Sequence, residues 1–228
     1  MFKPKTAMTN EEILSRVDHT LLTPTATFEQ IDRIARDAIE YHTASICIPQ
    51  TYVRRIHDIY QDQVNICTVV GFPLGYNSTA SKIKEVEVAI SDGANEIDMV
   101  INICDVKNRD FAKVEEEIRQ IKQACGSKIL KVIVETCYLD EQEKIELCKV
   151  VTAAKADYIK TSTGFGTGGA TFRDIELFKR HIGPDVKIKA AGGISSYDDL
   201  KEFVRLGCDR LGTSRAINII KGIESEGY

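Results

Sequence analysis

Short apolar runs and helical patterns alternate along the chain. The runs are Val17–Leu22, Ala44–Ile48, Asn65–Val70, Glu96–Ile101, Ile129–Glu135, Tyr158–Ser162, Lys187–Ala191 and Arg210–Ser214. Their starts lie about 20 to 33 residues apart, the length of one strand plus one helix in a βαβ unit. Between them, Phe28, Ile31, Ile34, Ala35, Ala38 and Ile39 share one face at a 3.6-residue period, as do Phe111, Val114, Ile118 and Ile121. Helix starts are marked by Thr9…Glu12, Thr27…Gln30, Thr171…Asp174 and Ser196…Asp199, where a side-chain oxygen can cap free backbone N–H groups.

Eight strands alternating with helices predict an α/β fold, a (β/α)8 TIM barrel, with an open doubly wound sheet as the competitor. Strand number and even spacing favour the barrel. The 228 residues carry no linker, low-complexity stretch or charge block, so 1–228 reads as a single domain. The residues before Val17 predict a short extra N-terminal helix capping the barrel bottom. The tail after Ile220, residues 221–228, has little core-forming content and is expected to be mobile.

The pattern breaks in three strands. Lys160 sits inside Tyr158-Ile159-Lys160-Thr161-Ser162, Lys189 inside Lys187-Ile188-Lys189-Ala190-Ala191, and Asp98 inside Glu96-Ile97-Asp98-Met99-Val100-Ile101. Side chains alternate in a strand, so if Ile159, Ile188, Ile97 and Met99 pack outward, the three ionisable groups converge in the barrel interior. Isolated charge there costs several kcal/mol. A structural Asp–Lys pair would leave the second lysine unexplained. Two crowded ammonium groups cannot both stay protonated cheaply; the one that loses its proton becomes a nucleophile able to form a Schiff base with a carbonyl. The carboxylate can then move protons.

Composition removes other classes. Lys+Arg 30 against Asp+Glu 34 gives a net charge of −4, without the basic footprint of a nucleic-acid binder. No run approaches the roughly 18 apolar residues of a membrane helix, and Met1–Asn10 carries no apolar stretch of a secretory leader. Seven cysteines without a C-x-x-C pair argue against a disulfide scaffold and favour a reducing, cytoplasmic setting. His19, His42, His57 and His181 show no metal-ligand spacing, so no metal is expected.

Any anionic ligand must then be met locally. Glycines follow both lysines: Gly164, Gly166, Gly168 and Gly169 after Lys160, Gly192 and Gly193 after Lys189. The last strand ends Gly212-Thr213-Ser214. Loops after the seventh and eighth strands of such barrels bind phosphate through backbone N–H groups. Gly164-x-Gly166-x-x-Gly169 also fits a dinucleotide fingerprint, but it follows the sixth strand rather than the first.

With these residues in place the chain resembles the deoxyribose-phosphate aldolases, a class I aldolase family, nearly end to end. The resemblance is carried by Asp18-His19-Thr20-Leu21-Leu22, Val70-Gly71-Phe72-Pro73-Leu74-Gly75, Gly93-Ala94-Asn95-Glu96-Ile97-Asp98-Met99-Val100-Ile101-Asn102, Lys160-Thr161-Ser162-Thr163-Gly164-Phe165 and Lys189-Ala190-Ala191-Gly192-Gly193. It implies reversible cleavage of 2-deoxy-D-ribose 5-phosphate to D-glyceraldehyde 3-phosphate and acetaldehyde, without metal or other cofactor. Lys160 would carry the Schiff base and Lys189 would be the neighbouring cation. Asp98 would be the acid/base residue, acting through a water. Asp18 and Thr20, at the mouth of the first strand, would support the proton relay or substrate hydroxyls. Cys47 matches a cysteine near the site, with a buried apolar role as the alternative. Tyr228, the terminal residue, matches a tyrosine that enters the site from a flexible tail, a disordered end being the alternative. His19 reads as a packing residue.

Three departures touch the phosphate end. Cys104 and Ser195 stand where the family usually has Gly and often has Arg, and Arg215 stands where small residues are usual. The expected phosphate site is Gly164, Gly166, Gly192, Gly193, Gly212, Ser214 and Arg215, with Arg215 supplying the guanidinium that Ser195 cannot. The ligands are thus a phosphorylated sugar and an aldehyde; the sequence admits a homodimer. Alternatives are a Schiff-base aldolase for another phosphorylated sugar, or a catalytically silent sugar-phosphate binding protein that would not need the lysine pair and Asp98.

Overall fold

The computed structural model describes residues 8–223. Eight parallel strands close into a barrel in chain order: β1 (Val17–Thr20), β2 (Ser45–Ile48), β3 (Ile66–Val70), β4 (Glu96–Val100), β5 (Ile129–Ile133), β6 (Tyr158–Lys160), β7 (Lys187–Ala191) and β8 (Arg210–Thr213). β8 returns to β1 with Asp18 beside Gly212. The helices are α1 (Asn10–Leu14), α2 (Phe28–Glu40), α3 (Val53–Tyr60), α4 (Thr79–Ser91), α5 (Ile103–Lys107), α6 (Phe111–Cys125), α7 (Glu141–Ala153), α8 (Phe172–His181), α9 (Tyr197–Leu206) and α10 (Ala216–Lys221).

The local signals act as read. Thr9, Thr27 and Ser196 each form reciprocal capping bonds with Glu12, Gln30 and Asp199. Thr171 accepts the Asp174 N–H at 3.1 Å, while the Asp174 carboxylate takes the Thr171 hydroxyl instead of the backbone. A further capping box, Asp140 with Glu143, starts α7.

Outward strand residues such as Ile46, Ile97, Met99, Val132, Ile159 and Ile188 meet the helices in one continuous apolar layer. Burying each such side chain contributes roughly 1.5–3 kcal/mol. His19 is buried, with Nε2 3.7 Å from Asp37. A second, smaller apolar group, Leu22, Cys47 and Cys67 with Val69 and Phe72 against it, forms apart from that layer.

α1 precedes β1 and packs against α9 and α10. Glu12, Ser15 and Arg16 share a pocket with Tyr158, Lys187 and Asp209, which lie at the starts of β6, β7 and β8, placing α1 at the barrel bottom. Several boundaries differ from expectation. Lys221 is the last residue of α10 rather than the first of a tail; residues 224–228, with Tyr228, lie outside the described residues. β1 and β6 stop at Thr20 and Lys160, short of Leu22 and Ser162, because the chain there leaves the ladder to enter the loops at the barrel mouth.

Candidate active site

Alternation in seven strands sends one polar side chain after another into the barrel. Asp18 comes from β1, Ser45 from β2, Glu96 and Asp98 from β4, Lys131 from β5, Lys160 from β6, Lys189 from β7 and Arg210 from β8. Register sets Asp98 beside Lys131, Lys160 beside Lys189, and Lys189 beside Arg210.

Asp98 is the hub. Its Oδ2 receives Lys160 Nζ and Lys189 Nζ, both at 2.7 Å, and its Oδ1 receives Lys131 Nζ at 2.8 Å. The two proposed amines therefore touch one oxygen and lie within about twice that distance of each other. Lys189 also binds Asp18 at 2.5 Å; Lys131 also binds Glu96 at 2.5 Å. Arg210 reaches Asp18 at 2.6 Å and Glu96 at 2.9 Å. Asp18, Asp98, Lys131 and Lys189 are fully buried, and Lys160 is 3% exposed.

The electrostatics follow from this packing. Burial favours a neutral Asp98, but Lys131, Lys160 and Lys189 together hold its carboxyl far below the usual carboxylate range. Burial is likewise outweighed at Asp18, which Lys189, Lys131 and Arg210 hold low. Lys189 is pulled upward against its desolvation by Asp18 and Asp98, and Lys131 by Asp98, so both stay protonated at neutral pH. Formally, four cations face three carboxylates: Lys131, Lys160, Lys189 and Arg210 against Asp18, Glu96 and Asp98. Lys160 contacts one carboxylate, Asp98, which it shares with Lys131 and Lys189.

The sequence analysis placed Lys160, Lys189 and Asp98 together, and they are together. It missed Lys131, Arg210 and Glu96. Lys131 carried the same signal, a lysine between the apolar residues Leu130 and Val132. Asp18 lies inside the barrel, with the Ser45 hydroxyl donating to it at 2.8 Å, rather than at its mouth. Thr20 lies at the mouth, its hydroxyl donating to the Asp18 carbonyl at 2.7 Å.

A cavity of about 100 Å3 opens beside Lys160. Its walls come from Thr20 at the end of β1 and Leu22 beyond it, Thr163 and Gly164 after β6, Ala191–Ile194 at and beyond the end of β7, and Gly212–Arg215 at and beyond the end of β8. Six of the seven expected phosphate residues line it. Gly166 does not; it packs on Cys137 and Glu135. Gly192 takes φ +77°, a conformation open to glycine. At Gly212 a Cβ would meet Lys189 Cε at 3.0 Å, so the missing side chain leaves room for the lysine. Ser195 is occupied at the start of α9, where its N–H and hydroxyl both donate to Asp199. Cys104 is exposed on α5.

Cys47 is buried among Leu22 and Cys67. Cys47, Cys67 and Asp98 bring three donor atoms within 4.8 Å of one another. The Asp98 oxygens already hold three ammonium groups, and Lys131 Nζ lies 3.3 Å from the Cys67 sulfur, a setting hostile to a metal cation. None of the described helices is long and apolar enough to cross a membrane.

The model of the DeoC/LacD aldolase family matches residues 13–217. A deoxyribose-phosphate aldolase of Clostridium botulinum is 66% identical over 221 residues, 97% of this chain and 100% of that protein. One from Streptococcus pyogenes is 59% identical over 92% of this chain and 95% of its own. Among solved structures, a deoxyribose-phosphate aldolase described as tetrameric, from Aeropyrum pernix, superposes with a TM-score of 0.88 at 30% identity, covering 94% of this chain and 92% of its own.

Proposed function

The chain belongs to the DeoC/LacD aldolase family, and on that footing we propose that it cleaves 2-deoxy-D-ribose 5-phosphate reversibly to D-glyceraldehyde 3-phosphate and acetaldehyde through a Schiff base on Lys160. The observation that carries the mechanism is the shared Asp98 oxygen between Lys160 and Lys189.

Lys160 acts as the free amine. The free amine adds to C1 of the open-chain sugar, and loss of water leaves a protonated imine. Lys160 then no longer donates to Asp98 as an ammonium, so an Asp98 lone pair is freed beside the reacting carbons. Asp98 takes the proton of the C3 hydroxyl. The O–H electrons form the new C=O, the C2–C3 bond breaks, and its electrons pass into an enamine on the nitrogen of Lys160. Glyceraldehyde 3-phosphate departs with the cavity-bound phosphate. The Asp98 proton returns to C2, and water releases acetaldehyde and the free amine. Lys189, held protonated by Asp18 and Asp98, keeps Asp98 oriented beside Lys160. Gly164, Gly192, Gly193, Gly212, Ser214 and Arg215 would take the phosphate, with Thr20 at the substrate hydroxyls.

The test is borohydride trapping with acetaldehyde, read by peptide mass spectrometry. An ethyl group on Lys160 alone is expected; the same label on Lys131 or Lys189 would reassign the nucleophile. We also read residues 1–228 as one cytoplasmic domain; the sequence admits a homodimer, which sedimentation would distinguish from the tetramer described for the Aeropyrum pernix relative.

A further inference from the structure

Glu135 follows β5 in a left-handed conformation, φ 56°, which costs a glutamate steric strain. Its side chain is 2% exposed. Burial pushes its carboxyl above the usual range, with Thr163 and Lys160 acting the other way. Such a group is tolerated where hydrogen bonds repay its desolvation. Here the main donor is one residue of a different loop. The Thr163 N–H lies 3.2 Å from Oε1 and 3.3 Å from Oε2, and the Thr163 hydroxyl donates to Oε2. The Cys137 sulfur adds a long contact at 3.9 Å. Thr163 Oγ1 accepts the N–H of Phe165 at 3.0 Å, so the carboxylate fixes the backbone of 163–165.

The same loop is pressed against Glu135 further on. A Cβ at Gly166 would meet Glu135 Cδ at 3.2 Å and Cys137 Sγ at 2.8 Å. Thr163 and Gly164 form one wall of the cavity beside Lys160, with Gly192 and Gly193 among the other walls. Strain and buried charge are thus both spent on the placement of that wall.

We propose that Glu135 is a positioning residue for the phosphate end of the substrate: its carboxylate clamps Thr163 and so sets the Thr163–Gly164 wall of the cavity. This rests on the aldolase reading above, but it concerns the anion cavity and not the amine chemistry.

Two measurements on Glu135→Gln test it. A carboxamide keeps the size but loses the charge-assisted bonds. The KM for 2-deoxyribose 5-phosphate is expected to rise by about tenfold or more with kcat little changed, while kcat/KM for unphosphorylated 2-deoxyribose stays at the wild-type value. Inorganic phosphate, titrated by calorimetry, should bind more weakly to the variant by a similar factor. Thr163→Val should reproduce both effects, and the double variant should be no worse than either single one, as expected for two ends of one clamp. Equal losses on both sugars, unchanged phosphate binding, or additive effects of the two substitutions would each overturn the proposal. Because phosphate binding needs no turnover, a wild-type protein inactive on either sugar, with phosphate binding still weakened by Glu135→Gln, would remove the aldolase reading and keep the clamp.

Discussion

Lys160 and Lys189 donate to the same oxygen, Oδ2 of Asp98, each at 2.7 Å. They do not play equal parts. Lys189 has a second carboxylate, Asp18, at 2.5 Å; among the described residues Lys160 forms an ion pair with Asp98 alone. Replacing Lys189 by Leu removes a positive neighbour of Lys160 while leaving Asp98 in place, so the pH at which activity appears should rise. The kcat of Lys189→Leu at neutral pH is expected to fall by about 10²- to 10⁴-fold, with part of the loss recovered as pH rises. A profile that falls uniformly at every pH would deny Lys189 its influence on the amine.

What the sequence disclosed about this site, and what it did not, divides along physical lines. Lysines inside short apolar strands are visible because alternation fixes the face they occupy, and Lys160, Lys189 and Asp98 emerged that way. Lys131 met the same criterion. It was overlooked because two amines and one carboxylate already completed a mechanism. Arg210 and Glu96 sit at strand starts, where charge is unremarkable; only barrel closure carries the Arg210 guanidinium to Glu96 and Asp18. Asp18 was placed at the mouth because depth along a strand depends on register with its neighbours, which no local pattern encodes. Caps and glycine loops were legible since their logic spans three or four residues. Gly166 was not, because its facing is set by the path of a long loop over Cys137.

Asp98 binds Lys131, Lys160 and Lys189, so its removal should be costly to the fold as well as to catalysis. Asp98→Asn leaves Lys131 and Lys189 crowded with less countercharge. Breaking a buried pair in this way costs about 3–5 kcal/mol. Urea unfolding should register a loss of that order. A variant as stable as the wild type would mean that the ammonium groups are far better solvated than their burial implies.

The cluster also fixes the pH range of stability. Asp18 and Asp98 have native pKa values below those of the unfolded chain, so their contribution is complete above roughly pH 4 and is lost as pH falls through the native values. Lys131 and Lys189 have native values above the unfolded one, so theirs is complete below about pH 10 and lost as pH climbs beyond it. Unfolding free energy measured from pH 3 to 11 should therefore decline at both ends, and Asp18→Asn should flatten the acid decline. An acid limb unchanged in Asp18→Asn would remove that carboxylate from the account.

Thiol reactivity offers a check on the packing. Cys104 is exposed and Cys137 half-buried, whereas Cys47, Cys67, Cys125, Cys148 and Cys208 are buried. Burial pushes Cys125, Cys148 and Cys208 up to about 12. A disulfide reagent at pH 8 should label Cys104 quickly and Cys137 more slowly. Cys125, Cys148 and Cys208 should react only on unfolding. Rapid labelling of Cys148 in native protein would contradict the packing of α7.

The phosphate end can be separated from the chemistry through Arg215. It lines the cavity directly after Ser214, and its backbone N–H is held by Thr213 Oγ1 at 3.0 Å. Ser195, two residues past Gly193, spends its N–H and hydroxyl on Asp199. A guanidinium on a phosphate is a charge-assisted contact, and losing one costs about 1.5–3 kcal/mol. Arg215→Ala should then raise KM for 2-deoxyribose 5-phosphate by about 10- to 100-fold with kcat little changed, and leave unphosphorylated 2-deoxyribose unaffected. Position 195 is on the neighbouring loop, and an arginine there could approach the same anion. Ser195→Arg added to Arg215→Ala should therefore recover part of the lost affinity. If Arg215→Ala leaves KM for the phosphorylated sugar at the wild-type value, the guanidinium lies outside the anion's reach and the backbone N–H groups of the glycine loops carry the grip alone.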